Sequence, residues 1–270
     1  MLDRDEYIEQ AYFFRALHER MLLCVSTQDL LESLKEEVLA TTSLPMALDF
    51  MAAELRLTGG FATAMERLKH YFSPFQAFVV REAEREEGRL DFRVALVILE
   101  REAEYLAKDA TRQGLFVYQF ETLCRNRLGY DRGLDAIAAD PLYDAAWRDW
   151  ILTVQRQIGM VDFADLVYVR SEHYRRPENE LPRPVLFGRK EGQIALVHRH
   201  KDPLYLFAAL QRHLGYPSVP RPAAENTQRY AIPQLQQKVD RLETRIRLIE
   251  EELRGGINLA KLYSDPSKPS

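Results

Sequence analysis

From residue 4 to residue 174 the apolar positions recur every three or four residues, the spacing that gives a helix one buried face. Stop and start signals cut this pattern into separate helices. Ser73-Pro74-Phe75-Gln76 supplies an N-cap serine, a proline at the first helical position and a glutamine for a capping box. Asp140-Pro141 and Asp202-Pro203 repeat the Asp-cap, Pro-first device. Gly59, Gly129, Gly159, Gly215 and Gly255 fit the left-handed residue that closes a helix. Leu128-Gly129-Tyr130 and Leu214-Gly215-Tyr216 share one C-capping pattern, in which the tyrosine folds back on the last turn. These signals predict helices over 4–24, 27–40, 44–58, 61–72, 74–87, 91–109, 113–128, 132–139, 141–158, 162–174, 203–214 and 233–254. Short connections predict antiparallel neighbours, so the expected fold is mainly α, an irregular antiparallel helical bundle.

The last of these helices has its own pattern. Leu235, Val239, Leu242, Ile246, Ile249 and Leu253 are alternately four and three apart, a narrow heptad seam with Val239, Ile246 and Leu253 at a. Lys238 and Arg245 fall at g, Glu243 and Glu250 at e. A parallel pair brings Lys238 to Glu243 and Arg245 to Glu250; an antiparallel pair sets like charges together. The segment predicts a parallel homo-oligomer. Its first turns favour a dimer, while Ile249 at d and Leu253 at a leave trimer and tetramer open.

The texture changes after Arg175. A Pro-rich stretch leads to Val185-Leu186-Phe187 and Gln193-Ile194-Ala195-Leu196-Val197, which flank Arg189-Lys190-Glu191-Gly192 and predict a small β-hairpin. The domain reading is a helical body over 1–174, a basic hairpin-plus-helix segment over 175–216 packed on it, and a flexible linker over 217–232. The coiled-coil helix over 233–254 and a disordered tail over 255–270 complete it. Gly59-Gly60-Phe61 with Ala64 and Leu68 resembles the second half of a tetratricopeptide repeat, which keeps a helical-repeat arrangement open. The spacing of such units is irregular.

Charge separates along the same boundary. Residues 1–174 hold 20 basic and 30 acidic side chains, whereas 175–221 hold nine and four. Arg189, Lys190, Arg199, Lys201 and Arg212 are the candidate anion-binding residues, interleaved with Phe187, Tyr205 and Tyr216. The plainer expectation is that this positive segment docks by charge on its own acidic helices.

Chemistry is mostly excluded by pattern. The chain has no Gly-rich phosphate loop, CxxC, HExxH or GxSxG, and no ExxH for a di-iron bundle. His198 and His200 share a face if strand-borne, with His213 as a third donor, yet no metal is expected among such basic neighbours. Glu100, Glu102 and Glu104 are expected on a solvated, salt-bridged face. Trp147, Trp150, Ile151, Val154 and Ile158, with Phe116, Tyr118, Phe120 and Leu123, are expected in the core rather than around a cofactor. Cys24 and Cys124 read as buried free thiols. No apolar run spans a bilayer and no signal pattern opens the chain, so the expected location is cytoplasmic, without membrane. The run Leu186 to Gly192 together with Asp202 to Pro217 resembles uncharacterised bacterial proteins of similar length, a resemblance that carries no assigned activity. The expected function is a non-enzymatic, self-associating scaffold or adaptor without cofactor. Binding of nucleic acid or another anionic ligand is the alternative, and an enzyme with an unrecognised site the second alternative.

Overall fold

The computed structural model describes residues 2–21, 27–85, 90–174 and 183–221, all within one compact unit that extends to residue 222. The heptad seam and the tail therefore lie outside the described residues. Twelve helices occur among those described: α1 (Arg4–Arg20), α2 (Thr27–Glu37), α3 (Leu44–Thr58), α4 (Phe61–Arg67), α5 (Pro74–Glu84), α6 (Phe92–Leu106), α7 (Arg112–Arg125), α8 (Tyr130–Ala138), α9 (Ala145–Gln157), α10 (Phe163–Val169), α11 (Arg189–Val197) and α12 (Pro203–Leu214). The all-α class holds.

The capping chemistry sets several boundaries. Ser73 Oγ accepts from the Gln76 amide at 3.2 Å, and Gln76 Oε1 accepts from the Ser73 amide at 3.1 Å, a complete capping box for α5. Asp202 opens α12 by accepting from the Leu204 amide at 2.9 Å. Gly59 and Gly215 end their helices at φ +76° and +68°, where a side chain would be strained. Asp140 does not open a helix. Asp144 does so instead, accepting from the Trp147 amide at 3.1 Å, so α9 begins four residues later than expected. Gly129 has φ −63° and begins α8; Arg127 takes the left-handed conformation in its place.

Sequence neighbours joined by short loops pack on one another: α2 lies on α3, α4 on α5, and α8 on α9. The most extensive contact is between α1 and α6, which closes the first six helices on themselves. Helix α7 is buried at every position from Gly114 to Leu123, the signature of a central helix. Aromatic rings fill the space between α7 and α9: Phe116 meets Trp150 at 4.8 Å between centroids, and Trp150 meets Phe187 at 5.1 Å. Phe207 reaches the same cluster through Phe120 and Phe163. The expected core stripe is thus realised, with only Ile158 partly exposed.

The expected β-hairpin is absent. Residues 189–197 form α11, and no strand occurs among the described residues; the segment contributes one isolated bridge, between Ser171 and Phe187. The physical reason lies in Gly192 and Ala195, buried residues three apart that let α11 approach α10 and the turn after it. A Cβ on Gly192 would lie 2.6 Å from Ser171 Cβ and 2.8 Å from His173 Cβ. Helix propensity alone favours alanine there by about 1 kcal/mol, but overpacking costs about 1–3 kcal/mol. Gly192→Ala should therefore lower the melting midpoint by several degrees, as read by calorimetry. A raised midpoint would show that the α10–α11 contact yields freely.

The chain leaves α12 as a strap. Tyr216 is buried, with its hydroxyl proton shared between two acceptors in reach, Glu121 Oε2 at 2.7 Å and the Phe207 carbonyl at 3.0 Å. Val219 is buried, Arg101 donates to the Ser218 carbonyl at 2.6 Å, and Asn126 to the Pro220 carbonyl at 3.3 Å. The stretch assigned by composition to a flexible linker is thus fastened in its first residues.

Candidate functional site

The basic segment forms α11, a turn and α12. Arg189 and Lys190 are exposed in the first turn of α11, the end of a helix where positive charge is unfavourable. Helix stability therefore does not explain them. Arg199, in the turn, bonds the Asp165 carboxylate and lies 5.7 Å above the Tyr168 ring. Lys201 and Arg212 are exposed. Leu196, Val197, Leu204 and Tyr205 are exposed on the same two helices.

The expected docking of this segment by charge is seen at one position among the described residues. Of the five candidate cations, Arg199 alone has an acidic partner among the described residues. The segment is held by buried Phe187, Leu206, Phe207, Leu210 and Tyr216. Over residues 183–221 seven basic side chains face two acidic ones, Glu191 and Asp202. Glu191 receives His213 at 3.2 Å, and Asp202 caps α12. Arg189, Lys190, Lys201 and Arg212 are thus left without an acidic partner among the described residues.

The three histidines do not converge. His198 Nδ1 lies 2.7 Å from the Ile194 carbonyl, His213 is at Glu191, and His200 sits beside Asp162 and Asp165 with ligand atoms within 4.8 Å of one another. Those two carboxylates already have other work. Asp162 accepts from the Ala164 amide at 3.0 Å and the His200 amide at 2.6 Å, while Asp165 carries Arg199.

A second polar cluster was not expected. Glu100 and Glu104 bond Arg15 at the surface, as a salt-bridged face requires. Glu102 is instead buried on the apolar stripe of α6, one turn after Ile98 and Leu99. Its Oε1 accepts from Gln119 Nε2 at 2.7 Å, and Gln119 accepts from the Tyr143 hydroxyl at 2.9 Å. Its Oε2 has no hydrogen-bond partner among the described residues. Desolvation pushes the carboxyl up to about 8; the Gln119 and Gln76 amides oppose this and the Asp140 charge adds to it. Asp140, also buried, is raised mainly by desolvation as well. Nearby, Gln10 donates to the Tyr71 carbonyl at 3.0 Å and accepts from Gln76 at 3.2 Å. The cleft beside Gln10, Gln76 and Asp140 holds about 60 Å³, room for a few waters and too little for an organic substrate. The cluster is a polar core. Burial also pushes the Cys124 thiol up to about 11, far from a reactive thiolate.

The ten expected oligomerisation residues, from Leu235 to Leu253, lie outside the described residues. No helix among those described is long and apolar enough to cross a membrane. No family model, no curated protein and no solved structure matches the chain.

Proposed function

We propose that the protein is a self-associating adaptor whose α11–α12 segment engages an anionic partner. One observation carries this reading: Arg189, Lys190, Lys201 and Arg212 are exposed and have no acidic partner among the described residues, although the segment is already fastened by apolar contacts. The charge of Arg189 and Lys190, which stabilises neither the helix start nor the docking, is available for an external ligand. The exposed Leu204 and Tyr205 give such a ligand apolar contacts as well. Self-association through the heptad seam would multiply a weak individual contact by presenting several copies at once.

Single-stranded nucleic acid is the probe of choice, because basic side chains interleaved with aromatics suit its backbone and bases. Binding is expected at low salt and should weaken as salt rises. Arg189→Glu with Lys190→Glu should reduce affinity at least about tenfold and flatten the salt dependence by about 1.4 logarithmic units per decade, near 0.7 for each lost contact. Fluorescence anisotropy at several salt concentrations reads both. Equal affinity of parent and variant would remove this face from the binding. No binding to any polyanion at low salt would leave the scaffold reading alone.

A further inference from the structure

A groove of about 540 Å³ lies between α5 and α8, beside the turn that joins α4 to α5. Its floor is apolar and buried, made by Met65, Phe72 and Phe78. Its walls are small: Ala77 on α5, with Ala136 and Ala139 from α8 and its end. Ala136 is half-buried and Ala139 exposed, so the α8 wall is open to solvent.

The rim carries charge of the opposite sign to its surroundings. Residues 1–174 hold 30 acidic side chains against 20 basic ones. The groove nevertheless meets three basic side chains, Lys69, Arg81 and Arg132, and one acidic one, Glu66. Glu66 is already taken by Arg81 in an ion pair. Lys69 and Arg132 are exposed and have no acidic partner among the described residues. Arg132 lies in the first turn of α8, where the helix dipole disfavours a cation, so helix stability does not account for it. The acid one turn further along α8, Asp135, is bonded to Gln155 of α9.

The two unpaired cations stand apart along the groove. Arg132 is two turns before Ala139, about 10 Å along the axis of α8. Lys69 belongs to the other end, because it also borders the cleft that holds Ser73 and Asp140, the residue after Ala139. Apolar surface therefore lies between two positive ends. Residues two turns apart on one face of a helix have this same separation. Alanine walls let a second helix come close, since the distance between packed helices is set by the side chains at the contact. A small monoanion would meet only one of the two cations.

We infer that this groove receives an acidic amphipathic helix of a partner protein. Carboxylates two turns apart on that helix meet Lys69 and Arg132, and an apolar side chain between them rests on Ala136 over the floor at Phe78. The inference goes beyond the α11–α12 reading and stands on different residues.

The test is selection on the full chain from a displayed library of helical peptides, about four turns long, followed by fluorescence anisotropy of the selected peptides. These should carry aspartate or glutamate two turns apart with leucine, methionine or phenylalanine between, and should bind more weakly as salt rises. Lys69→Glu with Arg132→Glu should weaken them about tenfold or more, because like charges then meet across the contact. The same variant should gain binding to peptides whose acids are changed to lysine. Both residues are exposed, so the parent's melting curve should persist. Ala136→Arg, which fills the groove from α8, should abolish binding; if that variant is unstable, the charge-reversed protein still decides. Arg189→Glu with Lys190→Glu should leave peptide binding unchanged, which separates this groove from the α11–α12 face. Failure to select any peptide, a pool without acidic enrichment, or equal binding by parent and charge-reversed protein would overturn the inference. So would a lower mass of the charge-reversed protein in light scattering, which would give the groove to a second copy. Saturable binding of decanoate to a chain that selects no peptide would likewise overturn it, in favour of a small amphiphile.

Discussion

Glu102→Gln should make the protein more stable than its parent at alkaline pH and remove most of the fall in stability above pH 5. The folded state holds the Glu102 proton up to about pH 8, whereas the unfolded chain releases it near the ordinary value of 4.5. Between those values the unfolded state binds fewer protons than the folded one, so stability falls as pH rises. The contribution is fully present below about pH 4.5 and is lost by the time pH has passed about 8. Over that window the loss is on the order of 5 kcal/mol. Glutamine is neutral throughout, and its side-chain carbonyl can still accept from Gln119 Nε2. A residual slope at the acid end remains, because Asp140 is raised by burial too. Denaturant melts of parent and variant at pH 5, 7 and 9 read the difference. Parallel slopes for the two proteins would show that Glu102 is not the group that holds the proton.

The second large effect concerns assembly. Leu242→Asp with Ile246→Asp should convert a parallel oligomer into monomers at micromolar concentration. Adjacent d and a positions would each place a carboxylate in the seam, where an ionised group costs several kcal/mol unless paired. A seam of 22 residues spans about 33 Å and has little stability in reserve. Multi-angle light scattering of both proteins gives the masses directly. A parent that already runs as a single chain at that concentration would sink the self-association reading. Since neither residue belongs to the compact unit described, the body's melting curve should be unchanged.

Helix boundaries were legible wherever a local hydrogen bond decides them. Ser73 and Asp202 are caps because their side chains reach amides two or three residues on, which a sequence states openly. Asp140 shows the limit. Its side chain meets the same kind of amide, that of Leu142 at 2.9 Å, but in a turn buried against the bundle, so the helix starts at the next suitable aspartate. Residues 189–197 were misread because Ile194, Leu196 and Val197 are strand formers, and propensity is a weak prior against packing. Gly192 and Ala195 were the available signal: two small residues three apart describe one helical face.

Glu102 was legible in principle as well. Ala95, Ile98, Leu99, Ala103 and Leu106 trace the buried stripe of α6, and Glu102 falls within it. Its acidic neighbours Glu100 and Glu104 disguised that position, because charge composition over a short window carries no phase. The docking of Phe187 gave no such clue. It depends on how the chain lays Phe187 against Ser171, a tertiary event that no local pattern encodes.

The strap from Tyr216 to Pro220 also has a mechanical meaning. If the C-terminal segment tethers several bodies together, any pull between them enters each body at this strap. Its three anchors, at Glu121, Arg101 and Asn126, sit on α7, on α6 and at the C-terminal end of α7, so tension is delivered to the centre of the bundle and not to a peripheral helix. A peripheral attachment would peel away one helix at a time. Force applied here has to displace the Tyr216 ring and the Val219 side chain from the core before any helix moves. Were copies joined through that segment, strain between them would meet the buried core of each body first.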